Sequence, residues 1–144
     1  MKGPKVAYWL FKSEPDSFSF ADLQAKGQAG QEWDGVRNYQ ARNNMRAMQI
    51  GDLGFFYHSN IGKEIVGLVE VSALAHPDST AADPRWECVD IRALRPVPRP
   101  VGLAEVKAEP RLSQMSLVTS MRLSVQPVRE AEWRLICAMA GLEP

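Results

Sequence analysis

The spacing of apolar positions changes several times along this chain, and each change marks an element. "KVAYWLFK" (Lys5 to Lys12) is a run of β-branched and aromatic residues closed by "SEP". Such a run predicts a strand covered on both faces that ends before Pro15. In "SFADLQAKG", Ser19 with Asp22 three residues on marks a helix start, and Gly27 a stop. Residues 27–31 read as loop. Ala41, Met45 and Met48 then recur at i, i+4 and i+7, which predicts a helix from about Tyr39 to Met48, ended by Gly51.

"DLGFFYHS" and "KEIVGLVEVSAL" read as two strands joined by "NIG", a hairpin signal. Gly67 inside the second predicts a bulge or a close backbone approach. "AHPDSTAADP" reads as loop. "RWECVDIRAL" alternates Trp86, Cys88 and Asp90 against Glu87, Val89 and Ile91, the pattern of another strand. "RPVPRP" is too rich in proline for a central strand and reads as a rigid connector or edge. "VGLAEVKAEPRL" holds a short helix before Pro110, and "RLSVQPV" a short strand or turn. "REAEWRLICAMAG" is a closing helix, with Trp133, Ile136 and Ala140 on one face and Gly141 as its stop. This order is not a regular βαβ alternation. It predicts an α+β fold: a small mixed barrel or strongly curved sheet with helices on one side. With 144 residues and no repeat or long linker, a single domain over 1–144 is expected.

Charge narrows the function classes. Lysine and arginine total 17, as do aspartate and glutamate, so the net charge is zero. That argues against a broad electrostatic grip on duplex DNA; any nucleic-acid site must be local and chemically specific. Cys88 and Cys137 lie far apart without a secretory segment ahead of them, which suggests reduced thiols in a cytoplasmic protein. The apolar run before Lys12 is too short for a signal peptide, and no stretch approaches the roughly 20 apolar residues of a membrane span. The two histidines and two cysteines have no zinc-site spacing, so no metal or cofactor is expected.

One stretch stands out against this neutral background. "WDGVRNYQARNNMR" (Trp33 to Arg46) holds three arginines, three asparagines, a tryptophan and a tyrosine. Trp33 offers either a stacking face for a base or an ordinary core ring. Gly35, between Asp34 and Val36, lets a ligand approach the backbone. Arg37 sits just before the helix, near its positive end. Asn38 suits either a base edge or a helix N-cap, and Tyr39 can stack or simply pack. Arg42 and Arg46 repel each other modestly at i, i+4 and read as phosphate contacts or as solvated surface.

Three shorter segments add candidates. Lys12, Ser13 and Glu14 in "FKSEP" leave a buried strand end abruptly polar, which marks a cleft or plain strand termination. In "FYHSN", His58 and Ser59 oppose each other on a strand, so they cannot form a nucleophile–base dyad. His58 then reads as a pocket wall or a satisfied core histidine. Arg122, close to Ser124 in "MRLSVQP", lies in an apolar segment and needs an anionic or carbonyl partner. Neither GxGxxG nor GxxxxGK[ST] occurs.

Taken together, "YWLFKSEP", "WDGVRNYQARNNM", "GDLGFFYHSN", "IVGLVEV" and "RLSVQPV" resemble the EVE domain family, in the family's order and from about Tyr8 to Trp133. The resemblance implies a PUA-like fold, a compact mixed β-barrel with flanking helices, related to the YTH domain that reads methylated adenine in RNA. It implies a non-catalytic reader of modified cytosine or adenine in DNA or RNA, working beside restriction-system or other nucleic-acid-processing proteins. The family motifs put a pocket at Ser13, Trp33, Gly35, Arg37, Asn38, Tyr39, His58 and Ser59, with Arg122 and Ser124 near its rim. Lys12, Glu14, Asp34, Val36 and Arg42 complete the expected contacts. One departure matters: Met121 stands where the family commonly has serine. The competing readings are a binder of, or enzyme on, free nucleosides or nucleotides, and a protein-interaction adaptor.

Overall fold

Two apolar clusters lie on opposite faces of one six-stranded sheet. The computed structural model describes residues 6–142. Its strands are β1 (Tyr8–Ser13), β2 (Gln31–Glu32), β3 (Leu53–His58), β4 (Glu64–Pro77), β5 (Glu87–Gly102) and β6 (Val125–Val128). Their order across the sheet is β2-β5-β4-β3-β1-β6. β1 runs parallel to β3 and antiparallel to β6, while β3, β4 and β5 form an antiparallel meander. The α+β class and the PUA-like architecture hold, but the sheet is open rather than closed into a barrel. Its edge strands, of two and four residues, do not pair with each other.

The helices are α1 (Phe20–Ala25), α2 (Tyr39–Ala47), α3 (Leu103–Ala108), α4 (Ser116–Thr119) and α5 (Glu130–Met139). They cover both faces, not one. Phe20 and Leu23 of α1 and Ala41 and Met45 of α2 join Trp9, Phe11 and Phe56. Val106, Leu117, Trp133 and Ile136 join Leu10 and Phe55 on the other side. The alternation explains it: in β1, Trp9 and Phe11 point one way and Leu10 the other, so both faces need a cover. Helix starts follow the local chemistry. Ser19 Oγ accepts from Asp22 N at 3.1 Å and Asp22 Oδ2 accepts from Ser19 N at 2.8 Å, a full capping box.

Several boundaries differ from the sequence reading. β5 runs straight through "RPVPRP", and Pro96 pairs with Gly67 of β4. Beyond Ile91, where β2 ends its pairing, β5 is an edge, and its prolines there owe no donor to an outer neighbour. β4 continues to Pro77, three residues into the expected loop. The expected loop at 27–31 is a 3₁₀ turn, Gly27–Ala29, leading into β2, and α4 was not foreseen. Lys5, the expected start of β1, lies outside the described residues. Gly67 is both a register shift and a close approach: a Cβ there would lie 2.3 Å from the Phe20 ring.

Candidate functional site

The carboxyl end of β1, the turn before α1 and the segment from Gln31 to Arg37 surround a cavity of about 750 Å³. Of the residues expected to bind ligand, Lys12, Ser13, Glu14, Trp33, Asp34, Gly35, Val36, Arg37 and Ser124 line it. Ser17, Phe18, Gln31 and Glu32 line it too, and the sequence reading had passed over them. A second cavity of about 390 Å³ adjoins the first through Lys12, Ser13, Glu14 and Ser124, and its wall includes Ser59, Lys63, Met121 and Arg122. Asn38, Tyr39, Arg42 and His58 lie outside both linings.

A buried carboxylate holds the wall in shape. Asp78, 3% exposed, accepts from Gly35 N at 2.9 Å and from Arg37 Nη1 at 3.0 Å. It also accepts from Thr80 N at 2.8 Å and Thr80 Oγ1 at 2.6 Å. Burial pushes its pKa up, but the donors from Thr80, Gly35 and Arg37 outweigh burial and bring it down to about 2. Gly35 takes a φ of 80°, a conformation that favours glycine, and so turns its N–H toward Asp78. Next door, Ser79 donates from its N at 2.8 Å and its Oγ at 2.5 Å to the two oxygens of Glu32. The loop at 78–80 thus clamps both ends of the Glu32–Arg37 wall. Asp78 was read only as loop. Its one local signal is the Asp-x-Thr turn, in which the side chain bonds a backbone N–H two residues on.

The aromatic candidates divide. Trp33 is 8% exposed, edge-on to Phe11, Phe18 and Phe56 at 5.6, 6.2 and 5.7 Å, and still borders the cavity. It is core and cavity wall at once. Tyr39, 50% exposed, stacks on Trp86 at 4.9 Å outside the cavity. Three arginines interleave with that pair: Arg37 over Trp86 at 5.6 Å, Arg42 over Tyr39 at 4.9 Å, and Arg85 Nη1 donating to the Tyr39 hydroxyl at 2.9 Å. Arg42 also donates to the Arg85 carbonyl. Arg46 is not part of this group, since it pairs with Glu87 of β5.

Other candidates have structural partners. Asn38 is the N-cap of α2, its side-chain oxygen accepting from Ala41 N at 2.9 Å. His58 Nε2 accepts from Phe20 N at 3.1 Å, and burial lowers its pKa, which keeps the acceptor lone pair available. Ser13 Oγ donates to Phe18 O at 2.5 Å. Lys12 Nζ donates to the Met121 carbonyl, and burial lowers its pKa. Arg122 is exposed, so water can solvate it and the anionic or carbonyl partner expected for it is not required. Asp34 is exposed at the cavity rim, and desolvation together with the charges of Asp78 and Glu32 raises its pKa. Among the described residues, Glu32, His76 and Cys88 bring metal-ligand atoms within 4.8 Å of one another, a set that spacing in the sequence did not reveal.

This geometry can hold a flat, polar-edged molecule beside an exposed arginine–aromatic surface. The EVE domain family matches residues 7–139. Thymocyte nuclear protein 1 of Mus musculus is 39% identical over 169 residues, covering 95% of this chain and 75% of the relative. The crystal structure of a protein from Agrobacterium tumefaciens is 64% identical, with a TM-score of 0.94, covering 95% of this chain and 94% of that one. The structure of human THYN1 protein in complex with 5-methylcytosine containing DNA is 36% identical, with a TM-score of 0.88, covering 96% and 99%. On the strength of the family match along nearly its whole length, the chain belongs to the EVE domain family.

Proposed function

We propose that this protein is a reader of modified bases in DNA, with 5-methylcytosine its foremost target, and that it acts by binding without chemistry. The observation that carries the reading is the cavity braced by Asp78, on a fold shared with a neighbour crystallised on 5-methylcytosine DNA. A base turned out of its stack enters the 750 Å³ cavity. The Asp34 carboxylate accepts from the exocyclic amino group, the usual acidic pairing with cytosine. Val36, Phe18 and the rim of Trp33 offer the methyl group an apolar corner. One methyl-sized group discriminates by only about 1–3 kcal/mol, so the polar edge must supply the remaining selectivity.

Arg37 at the cavity wall, with Arg42 and Arg85 outside it, holds the flanking phosphates. Their aromatic neighbours keep the guanidinium planes in position, and a phosphate contact adds affinity without reading sequence. Arg37 and Arg85 are also ion-paired, with Asp78 and Asp83, so the grip on the strand is local and not a broad positive field, as suits a neutral chain. The same arrangement would serve a modified base in RNA, which makes RNA an arm of the test.

The test is binding to matched oligonucleotides at fixed salt. The set comprises single- and double-stranded DNA and RNA, unmodified or carrying methylated or hydroxymethylated cytosine or methylated adenine. Preferential binding to methylcytosine DNA is expected. Equal affinity across the panel, or equal affinity for the free methylated nucleoside, would replace this reading with a small-molecule site.

A further inference from the structure

We propose that Glu32, His76 and Cys88 form a binding site for one divalent transition-metal ion of the zinc class. The three residues come from three adjacent strands. His76 and Cys88 are register partners across β4 and β5, and Glu32 stands opposite Asp90 across β2 and β5. Glu32 Oε1 lies 3.5 Å from Cys88 Sγ and 3.9 Å from His76 Nδ1, and all three ligand atoms fall within 4.8 Å of one another. A tetrahedral zinc ion, with bonds of about 2.0–2.3 Å, keeps its ligand atoms about 3.3–3.6 Å apart. The cluster therefore closes on an ion with its widest edge moving by roughly 1 Å.

The surroundings orient the donors. His76 Nε2 lies 2.7 Å from Asp90 Oδ1. A carboxylate behind an imidazole keeps the proton on that nitrogen and turns the other lone pair outward, the arrangement metal-binding histidines use. The outward nitrogen, Nδ1, donates to the Pro77 carbonyl at 3.0 Å and faces Glu32 at 3.9 Å, so it must give up that proton and that bond to take an ion. From the other side, Ser79 fixes Glu32 through both of its oxygens. Each carboxylate oxygen has two lone pairs, so Oε1 can keep its Ser79 bond and meet an ion as well.

Charge favours a cation. Cys88 is fully buried, its Sγ 3.5 Å from the Glu32 carboxylate, and the Asp90 carboxylate stands behind His76. A divalent ion inverts that local field and takes the thiolate directly. Binding releases two protons, one from the Cys88 thiol and one from His76 Nδ1. One sulfur, one nitrogen and one oxygen suit zinc or cobalt rather than magnesium or calcium, and a water completes the fourth position. Because Glu32 also lines the cavity and Ser79 adjoins Asp78, a bound ion would brace the wall of the base site from behind.

The test uses the whole chain, stripped with a chelator and titrated with Zn²⁺ and with Co²⁺ in the absence of nucleic acid. One ion per chain is expected, and the cobalt form should show a thiolate-to-cobalt charge-transfer absorption. Asp90→Asn should weaken zinc binding about 10- to 100-fold by releasing the His76 ring. His76→Gln, at a partly exposed position, should fold and weaken it further, and Cys88→Ser should abolish the absorption. A chain that takes up no ion would overturn the proposal. So would zinc binding unchanged by His76→Gln, or cobalt binding without the thiolate absorption.

Discussion

Trp33 and Trp133 are buried to nearly the same degree, at 8% and 7% exposure, yet they do different work. Trp133 of α5 lies flat against two rings, Phe55 at 4.1 Å and Tyr8 at 4.5 Å. Regular helices and apolar contacts surround it. Trp33 sits in an irregular segment on the opposite face, edge-on to three phenylalanines, and one side of it borders the cavity. Polar ties hold its neighbourhood: Asp78 to Gly35 and Arg37, Glu32 to Ser79. The face that packs regularly supplies stability. The face that carries the cavity is shaped by the hydrogen-bonded carboxylates of Asp78 and Glu32, because apolar packing alone would close the space.

The comparison breaks most visibly at the two tryptophans. Trp133→Ala should cost about 3–5 kcal/mol, read as a fall in the urea midpoint, with base selectivity intact in the protein that remains folded. Trp33→Ala should cost a similar amount and also abolish selectivity for the modified base. If folded Trp33→Ala still discriminates, Trp33 is scaffold only and the two faces are alike.

Asp78→Asn is the next largest effect. Losing charged hydrogen bonds to Thr80, Gly35 and Arg37 should cost about 1–3 kcal/mol. The pH profile sharpens the test. The folded pKa, near 2, lies below the ordinary aspartate value of about 3.9. Asp78 therefore contributes fully above pH ~4, and its contribution fades as pH falls toward 2. Urea midpoints measured from pH 5 to pH 2 should drop more steeply in the parent protein than in Asp78→Asn. Parallel profiles would mean the carboxylate is not what holds the wall.

Gly67→Ala probes the ligand face without touching a polar group. Its Cβ would meet the Phe20 ring at 2.3 Å, so α1 must shift, at a cost of about 1–3 kcal/mol in thermal or urea unfolding. A tolerated alanine would mean that α1 is looser than its packing suggests. Arg42→Ala should be the mildest for stability, within about 0.5 kcal/mol. It should weaken modified and unmodified DNA alike and reduce the salt slope of binding by about one. A change in selectivity instead would bring Arg42 into the base site.

Much of the fold could be read locally. The strand runs around Phe11, Phe56 and Val69, the capping box at Ser19 and the buried faces of α2 and α5 all follow from side-chain periodicity. These signals lie within a few residues of one another and depend on backbone geometry. The motif from Trp33 to Arg37 was legible as unusual for the same reason: a dense polar–aromatic stretch with a glycine has no economical use in a plain helix. Whether Asn38 faced a ligand or capped α2 could not be read, since an N-cap and a base contact need the same side chain.

What escaped the sequence depends on partners tens of residues away. Asp78 reaches Gly35 and Arg37 across the fold, His76 and Cys88 meet only through the β4–β5 register, and β1 joins β3 in parallel across two intervening helices. The chain by itself determined the cores of most strands and helices, though not β2 or α4, and marked Trp33 to Arg37 as chemically unusual, because periodicity and capping act over single turns. Only the tertiary structure decided that the sheet stays open, that helices cover both faces, that Trp33 becomes a wall and that Asp78 props it. Those outcomes depend on which surfaces meet, and on which buried charges find donors once water is excluded.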